Sequence, residues 1–404
     1  MSKKSIEKVL GRLSENTQRT YLTTIKKYEE FHGTSIEALV EEALDEQTNQ
    51  VPFHLLKVRD RLEDYQDYLI DGNYVHGTII EYMAKIKTIY KRCNVILPYI
   101  EPVNPKQTRR REYIEYKDIL TKEEIKSALK EMRLPAQARM MVMVQGGLSN
   151  AECDLLTTRC FIDTTKEHHK CDDDVDALRW LADENNPIIW VVKLIRQKTK
   201  KPYYALVGSE AVNIIAKAKL YEMDLPSNNN IIPSKLLTVH KGSFGRVCRN
   251  VNKKLGFGLV AEESKLRPHN LRRFHATYIG GSALSYEEHS LISNAEIDEM
   301  QGRGKTSVQD TYIKTNPIRQ KVLYAKVMNN VSLFNEYTYE IINNDVIIHR
   351  VDVRKKTQKL EKEVKILSGK LKEKEKASEK VNALRKELGD DVLLQMVEEI
   401  LNAS

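Results

Sequence analysis

Apolar residues recur at helical spacing through the first hundred residues of the chain. Between residues 14 and 33, Tyr21, Ile25, Tyr28 and, more loosely, Phe31 fall along one face behind the cap-type residues Ser14, Asn16 and Thr17. A second face runs through Leu62, Tyr65 and Leu69. A third opens near Thr78 and carries Ile79, Met83, Ile86 and Tyr90. This predicts a helical bundle over 1–100. Residues 101–118 break the rhythm with two prolines and the run Arg109, Arg110, Arg111, the composition of a basic linker that can track a phosphate backbone. Thr121 and Glu124 then form a capping box into the next helix, and helices are expected to Met300 and again over 318–331. Two stretches change period: Ile188–Ile195 and Tyr203–Val207 flank a polar turn, and 337–351 alternates around Asn343–Asp345. The expected fold class is therefore mainly α with small β-hairpins (α+β).

Composition narrows the class without naming a chemistry. No apolar run approaches the roughly 18 residues that a membrane helix needs, and the start lacks the apolar stretch of a signal peptide, so a cytoplasmic protein with no membrane contact is expected. The five cysteines are scattered without CxxC spacing and read as reduced thiols. "HHKCDDD" (168–174) contains metal-ligand residue types, yet adjacent residues without a partner cluster read as a solvated polar insertion. No metal or nucleotide cofactor is implied, since GxGxxG, Walker and HExxH motifs are missing. Net charge is +8, but residues 354–388 hold 13 Lys/Arg against 6 Asp/Glu, so +7 of that surplus lies in the tail. Nucleic-acid contacts elsewhere must come from local clusters such as Arg109–Arg111, Lys198–Lys201 and Arg267–Arg273.

The chemistry concentrates in two late segments. His269 and Arg272 stand at i and i+3, one face of a helix, where both can converge on one phosphate. Arg303 and Tyr312 follow in "QGRGKTSVQDTYIKT". Each residue alone reads as a solvated helix face or an ordinary core tyrosine; their order and spacing carry the information. "HNLRRFHAT" (269–277) resembles the HxLRH(T/S)xAT box of tyrosine recombinases, the phage-integrase family, and "MQGRGKTSVQDTYIKT" resembles that family's closing LGHxxxxxTxxYxH segment. The resemblance implies that Tyr312 attacks a DNA phosphodiester while His269, Arg272 and Arg303 hold the phosphate. It also implies that Lys198, in the 188–207 hairpin turn, protonates the departing 5′-hydroxyl, with Lys200 and Lys201 as rivals or phosphate contacts beside Arg273.

The resemblance departs at two positions. The family's G-(L/M)-R-x-x-E box matches "GGLSNAE" (146–152), with Ser149 where the arginine belongs. A displaced arginine, an impaired variant, or a copy that binds without cutting would each account for this; Arg139, Arg159, Arg196 and Arg267 are the nearest candidates in sequence. Arg303 stands where the family most often has histidine, and its setting resembles integrases of archaeal viruses and plasmids, elements of mobile DNA. A type IB topoisomerase shares the chemistry, and the separate helical domain argues against it.

The resemblance implies a two-domain DNA clamp: a SAM-like core-binding domain over 1–100, the linker 101–118, and a catalytic domain over 119–335. The partners implied are a double-stranded recombination site and further copies of the chain, as a tetramer on DNA. A hairpin extension (336–352) and a tail (353–404) follow. In the tail Val353, Thr357, Leu360, Val364, Leu367 and Leu371 keep a 4-3 heptad rhythm, which predicts a coiled-coil-like helix or, failing that, a single charged helix. Deleting 353–404 should leave cleavage of a single DNA site intact while weakening self-association and two-site synapsis. Light scattering with and without DNA, beside a cleavage assay, checks this; unchanged mass and synapsis would rule out the assembly role.

Overall fold

The run Arg139–Gly146, "RMMVMVQG", offers no continuous polar face, and a helix apolar all round must be enclosed. In the computed structural model it is. The structure describes residues 2–110, 112–229, 231–281, 292–303, 316–342 and 345–352, together with isolated positions between 365 and 383. The chain forms two units divided between Ile114 and Glu115.

The first unit is a helical bundle of α1 (Ser2–Gly11), α2 (Glu15–His32), α3 (Ile36–Thr48), α4 (Lys57–Asp71) and α5 (His76–Arg92). Three helices were expected, and α2, α4 and α5 carry the expected faces inward; α1 and α3 are additional. Tyr28, Tyr65 and Tyr90 meet at the centre, fully buried, with Tyr28 edge-on to both rings. Their packing keeps the polar ends together: the Tyr28 and Tyr90 hydroxyls lie 3.2 Å apart. The His76 backbone N–H donates to the Arg109 carbonyl at 2.9 Å, which ties the basic segment to the start of α5. Arg109 and Arg110 are exposed there, and Arg111 lies outside the described residues.

In the second unit α6 (Lys122–Lys130) starts at Thr121, whose side chain accepts from the Glu124 N–H while Glu124 reaches back to the Thr121 N–H. The enclosed helix is α7 (Leu134–Gly146). Around it lie α8 (Thr158–His169), α9 (Asp174–Ala182), α10 (Ser209–Met223), α11 (Lys241–Leu255), α12 (Pro268–Gly280), α13 (Asn294–Met300) and α14 (Pro317–Val331). Helices α10 and α12 pack directly on α7. The sheets are antiparallel pairs: β1 (Trp190–Ile195) with β2 (Pro202–Val207), β3 (Leu259–Val260) with β4 (Glu263–Ser264), and β5 (Tyr337–Ile342) with β6 (Asp345–Arg350). The first and third are the expected hairpins; the short β3–β4 pair carries too few residues to show a period. The fold is thus mainly helical with small strand pairs.

One expectation changes. His169 is buried, not solvated: its Nε2 bonds the Ile162 carbonyl at 3.1 Å and its Nδ1 accepts from the Cys171 N–H at 3.0 Å, so the ring closes α8. Much of the tail lies outside the described residues. Leu367, a seam position, is 64% exposed in the single chain.

Arg139 is enclosed within this core. Its Nε donates to Asn150 Oδ1 (2.9 Å), and its Nη1 to Asp154 Oδ1 (2.8 Å) and the Val239 carbonyl (2.6 Å). Nη2 donates to the Asn150 carbonyl. These bonds fix the loop after α7. Arg139→Met should lower the unfolding free energy by roughly 3 kcal/mol, since Asp154 loses its partner and the loop its donors. Urea denaturation monitored by circular dichroism measures the change, and a loss under about 1 kcal/mol would show that the loop holds itself.

Candidate active site

Three sequence-distant segments converge at the end of α7. Gly147 ends that helix with φ +62°, a left-handed conformation that glycine adopts without strain. A Cβ there would also collide with the His275 ring, so the chain can pass α12 this closely only as glycine. Leu148 is buried, and Ser149 caps the next turn: its N–H donates to Glu152 Oε2 (2.8 Å) and its Oγ accepts from the Glu152 N–H (3.3 Å).

The same Glu152 Oε2 accepts from Arg272 Nη1 at 3.3 Å. Both side chains are buried, at 7% and 2% exposure, so this ion pair is shielded from solvent. Arg272 Nη2 donates to the Gln301 carbonyl, and Gln301 Nε2 returns a 3.3 Å bond to the Arg272 carbonyl. Burial draws the Arg272 pKa down while Glu152 holds it up; the guanidinium remains a cation. Gln301 Nε2 also reaches His275 Nδ1 at 2.9 Å. Complete burial, with Arg272 nearby, pushes the His275 pKa down to about 3, and the ring bonds the Gln145 backbone on its other side. It is therefore a neutral imidazole whose Nδ1 accepts.

Gly302, again at φ +62°, lies against the Tyr203 ring in β2, close enough that a Cβ would clash. Tyr203 pairs across the hairpin with Leu194, so its contact with Gly302 docks the turn end of the hairpin on the 301–303 segment. Its hydroxyl is buried beside Glu152 and Arg272, and burial drives its pKa far up, so it stays a phenol.

His269 is one turn before Arg272 on α12 and keeps an exposed edge. Partial desolvation, followed by Arg273, Arg267, Arg303 and Arg272, lowers its pKa, so the ring is neutral at pH 7. Arg303 is half-exposed and meets Asp298 at 3.5 Å; Arg273 donates to Asn270 Oδ1 at 3.2 Å. Lys198 and Lys200 are exposed on the turn between β1 and β2, and Lys201 is half-buried. Lys200 takes φ 57°, and its N–H donates to the Arg196 carbonyl at 2.8 Å. Tyr312 lies outside the described residues.

Arg272, His269, Arg303 and the Ser149–Glu152 box are thus brought into one electrostatic neighbourhood. Sequence reasoning missed Gln301, His275 and Tyr203. The alternation of β2 could have placed Tyr203 inward with Ala205 and Val207; nothing in the sequence pairs Gln301 with His275.

No protein-family model matches the sequence, and no curated protein does. Among solved structures the chain is similar to XerA recombinase, at 15% identity over 80% of this chain and 96% of that one, with a TM-score of 0.32. It is also similar to a fragment of lambda integrase as a dimer bound to a COC′ core site, at 14% identity, 76% and 92% coverage and a TM-score of 0.37. A lambda integrase tetramer bound to a Holliday junction matches at 14% identity, 75% and 76% coverage and a TM-score of 0.36. The matched structures are tyrosine recombinases. At these identities and TM-scores they decide nothing about activity.

The neutral His275 makes stability depend on pH. The unfolded chain binds a proton near pH 6.5 and the folded chain only at about 3, so this histidine destabilises the fold as pH falls through that window and has no effect above it. Between pH 6.5 and 4.5 the wild-type chain should lose about 2 kcal/mol more unfolding free energy than His275→Gln. Urea titrations at the two pH values test it; parallel losses would show that His275 charges in the folded state.

Proposed function

We propose that the chain is a site-specific recombinase that breaks and rejoins DNA through a tyrosine. The observation that carries this reading is the buried node at Arg272, which gathers the 147–152 box, the 269–277 box and the 301–303 segment around one cation. Those are the three stretches whose sequence pattern points to phosphoryl transfer.

In this reading a DNA phosphate lies over Arg272, which offers a planar pair of donors, with His269 and Arg303 at its edges. Tyr312 Oη attacks phosphorus, the bond from phosphorus to O5′ breaks, and the 3′-phosphate becomes joined to the tyrosine. The phenol proton passes to a base, for which the neutral His269 ring is suited, and Lys198 supplies a proton to the leaving O5′. Bond energy is retained in the phosphotyrosine, so the 5′-hydroxyl of a partner strand can reverse the step without a metal or nucleotide. Arg109, Arg110, Arg111, Lys200, Lys201 and Arg273 serve as phosphate contacts that position the duplex. Four copies on DNA would bring two sites together, with the heptads of 353–404 contributing to assembly.

A non-cutting DNA binder is the second reading, favoured by Ser149 in place of a cation. Losing such a donor typically slows phosphate chemistry by about 10²–10³.

Covalent capture separates the two. Incubated with sheared double-stranded DNA and denatured in detergent, the wild-type chain should retain DNA covalently, and sequencing that DNA reports the preferred site. Tyr312→Phe should bind DNA and lose the adduct. Arg272→Ala should slow adduct formation by about 10² at saturating DNA with a modest change in affinity. Retention of adduct by the Phe variant would assign the nucleophile to another tyrosine, and equal losses of rate and affinity would reduce Arg272 to an ordinary phosphate contact.

A further inference from the structure

Arg196 follows β1 and opens the hairpin turn. Its N–H donates to the Lys201 carbonyl at 2.9 Å and its carbonyl accepts from Lys200, so the backbone here is fixed. The side chain turns inward. Its Nη1 is buried, and no acceptor meets it. The register places Arg196 next to the Ile195–Pro202 pair, at the end of the hairpin where Tyr203 rests on Gly302. Its guanidinium is near enough to Arg272 to lower that residue's pKa, as Arg303 also does. Glu152 meets Arg272, and Asp298 meets Arg303.

Each of the other candidates for the missing cation already has an acidic partner. Arg139 is saturated by the loop it holds. Arg159 is exposed and paired with Asp163 and Asp174. Arg267 is paired with Glu263 through Nη1, although its Nε is also buried without an acceptor. A buried guanidinium donor without an acceptor, beside a second buried guanidinium, is an unfavourable arrangement that a bound anion relieves.

We propose that Arg196 takes the phosphate-holding role that Ser149 cannot, so that one DNA phosphate is gripped between Arg272 from α12 and Arg196 from the hairpin turn. This rests on the recombinase reading for the identity of the phosphate. In this proposal a tetrahedral oxyanion accepts from both guanidinium groups, beside the Glu152 carboxylate that already meets Arg272. Moving the cation from the loop to the hairpin also explains how the 149–152 turn can be capped by a serine.

Two measurements test this on the full-length chain. The first uses inorganic phosphate alone, with its dissociation constant taken from the phosphate dependence of Tm against chloride at matched ionic strength. Arg196→Ala and Arg272→Ala should each weaken phosphate about tenfold or more, the worth of one charge-assisted bond pair, while Arg159→Ala does not. Without phosphate, Arg196→Ala should melt no lower than wild type, because it removes a like charge. The second is the rate of covalent capture on DNA recovered with the wild-type chain. Arg196→Ala should slow it by about 10², and adding Ser149→Arg to that variant should restore most of the loss. Unchanged phosphate affinity in Arg196→Ala, or a fall of several degrees in its phosphate-free Tm, would overturn the assignment and leave the recombinase reading standing. Arg196-dependent phosphate binding with no adduct from the wild-type chain would overturn the recombinase reading and leave the anion site.

Discussion

The Glu152 carboxylate makes the buried Arg272 cation tolerable, and the rest of the site depends on that pair. A guanidinium at 7% exposure is tolerable only with a partner that is itself fixed. Glu152 is fixed by the Ser149 N–H on the same oxygen and by the backbone turn that Ser149 caps. Removing either acid or cap would leave a buried positive charge to find water or to distort α12. The pair therefore holds the loop after α7 against α12, and the Gln301 carbonyl extends the hold to the segment before Arg303.

Close approach makes this arrangement possible. Two glycines at φ +62° let backbone touch aromatic rings, Gly147 on His275 and Gly302 on Tyr203. The rings are thereby dehydrated, which keeps His275 neutral and Tyr203 a phenol. Neutral neighbours matter: a charged imidazole beside Arg272 would compete for Glu152, and a phenolate would neutralise the cation that a phosphate needs. Burial thus sets the protonation of the interior, so that positive charge is confined to arginine.

Burial and positive charge together set the character of the exposed edge. Partial burial, with four arginines adding to it, lowers the His269 pKa, so the ring is neutral at neutral pH and able to accept a proton. The β1–β2 hairpin delivers Arg196 inward and Lys198 outward from one turn, which separates a group suited to holding a phosphate from one suited to meeting the edge of a duplex.

Local physical chemistry made much of this legible in the sequence. Apolar spacing marked α2, α4 and α5, the Thr121 capping box marked the start of α6, and alternation marked both six-residue hairpins, because each of these signals is complete within about fifteen residues. The spacing of His269 and Arg272 fixed them one turn apart on α12. Nothing local distinguished Arg139, Arg159, Arg196 and Arg267, four arginines of equal intrinsic character. Packing separated them, since burial and available acceptors come from residues as far as 100 positions away, as Val239 is from Arg139. The same holds for His169, solvated by its neighbours in sequence and buried by its neighbours in space. What the sequence alone determined was the set of elements and the residue types able to act on a phosphate. Which cation is spent on the fold and which has a buried donor without an acceptor was decided only by the tertiary structure, because the energy of a charge depends on the solvent and partners around it and not on its place in the chain.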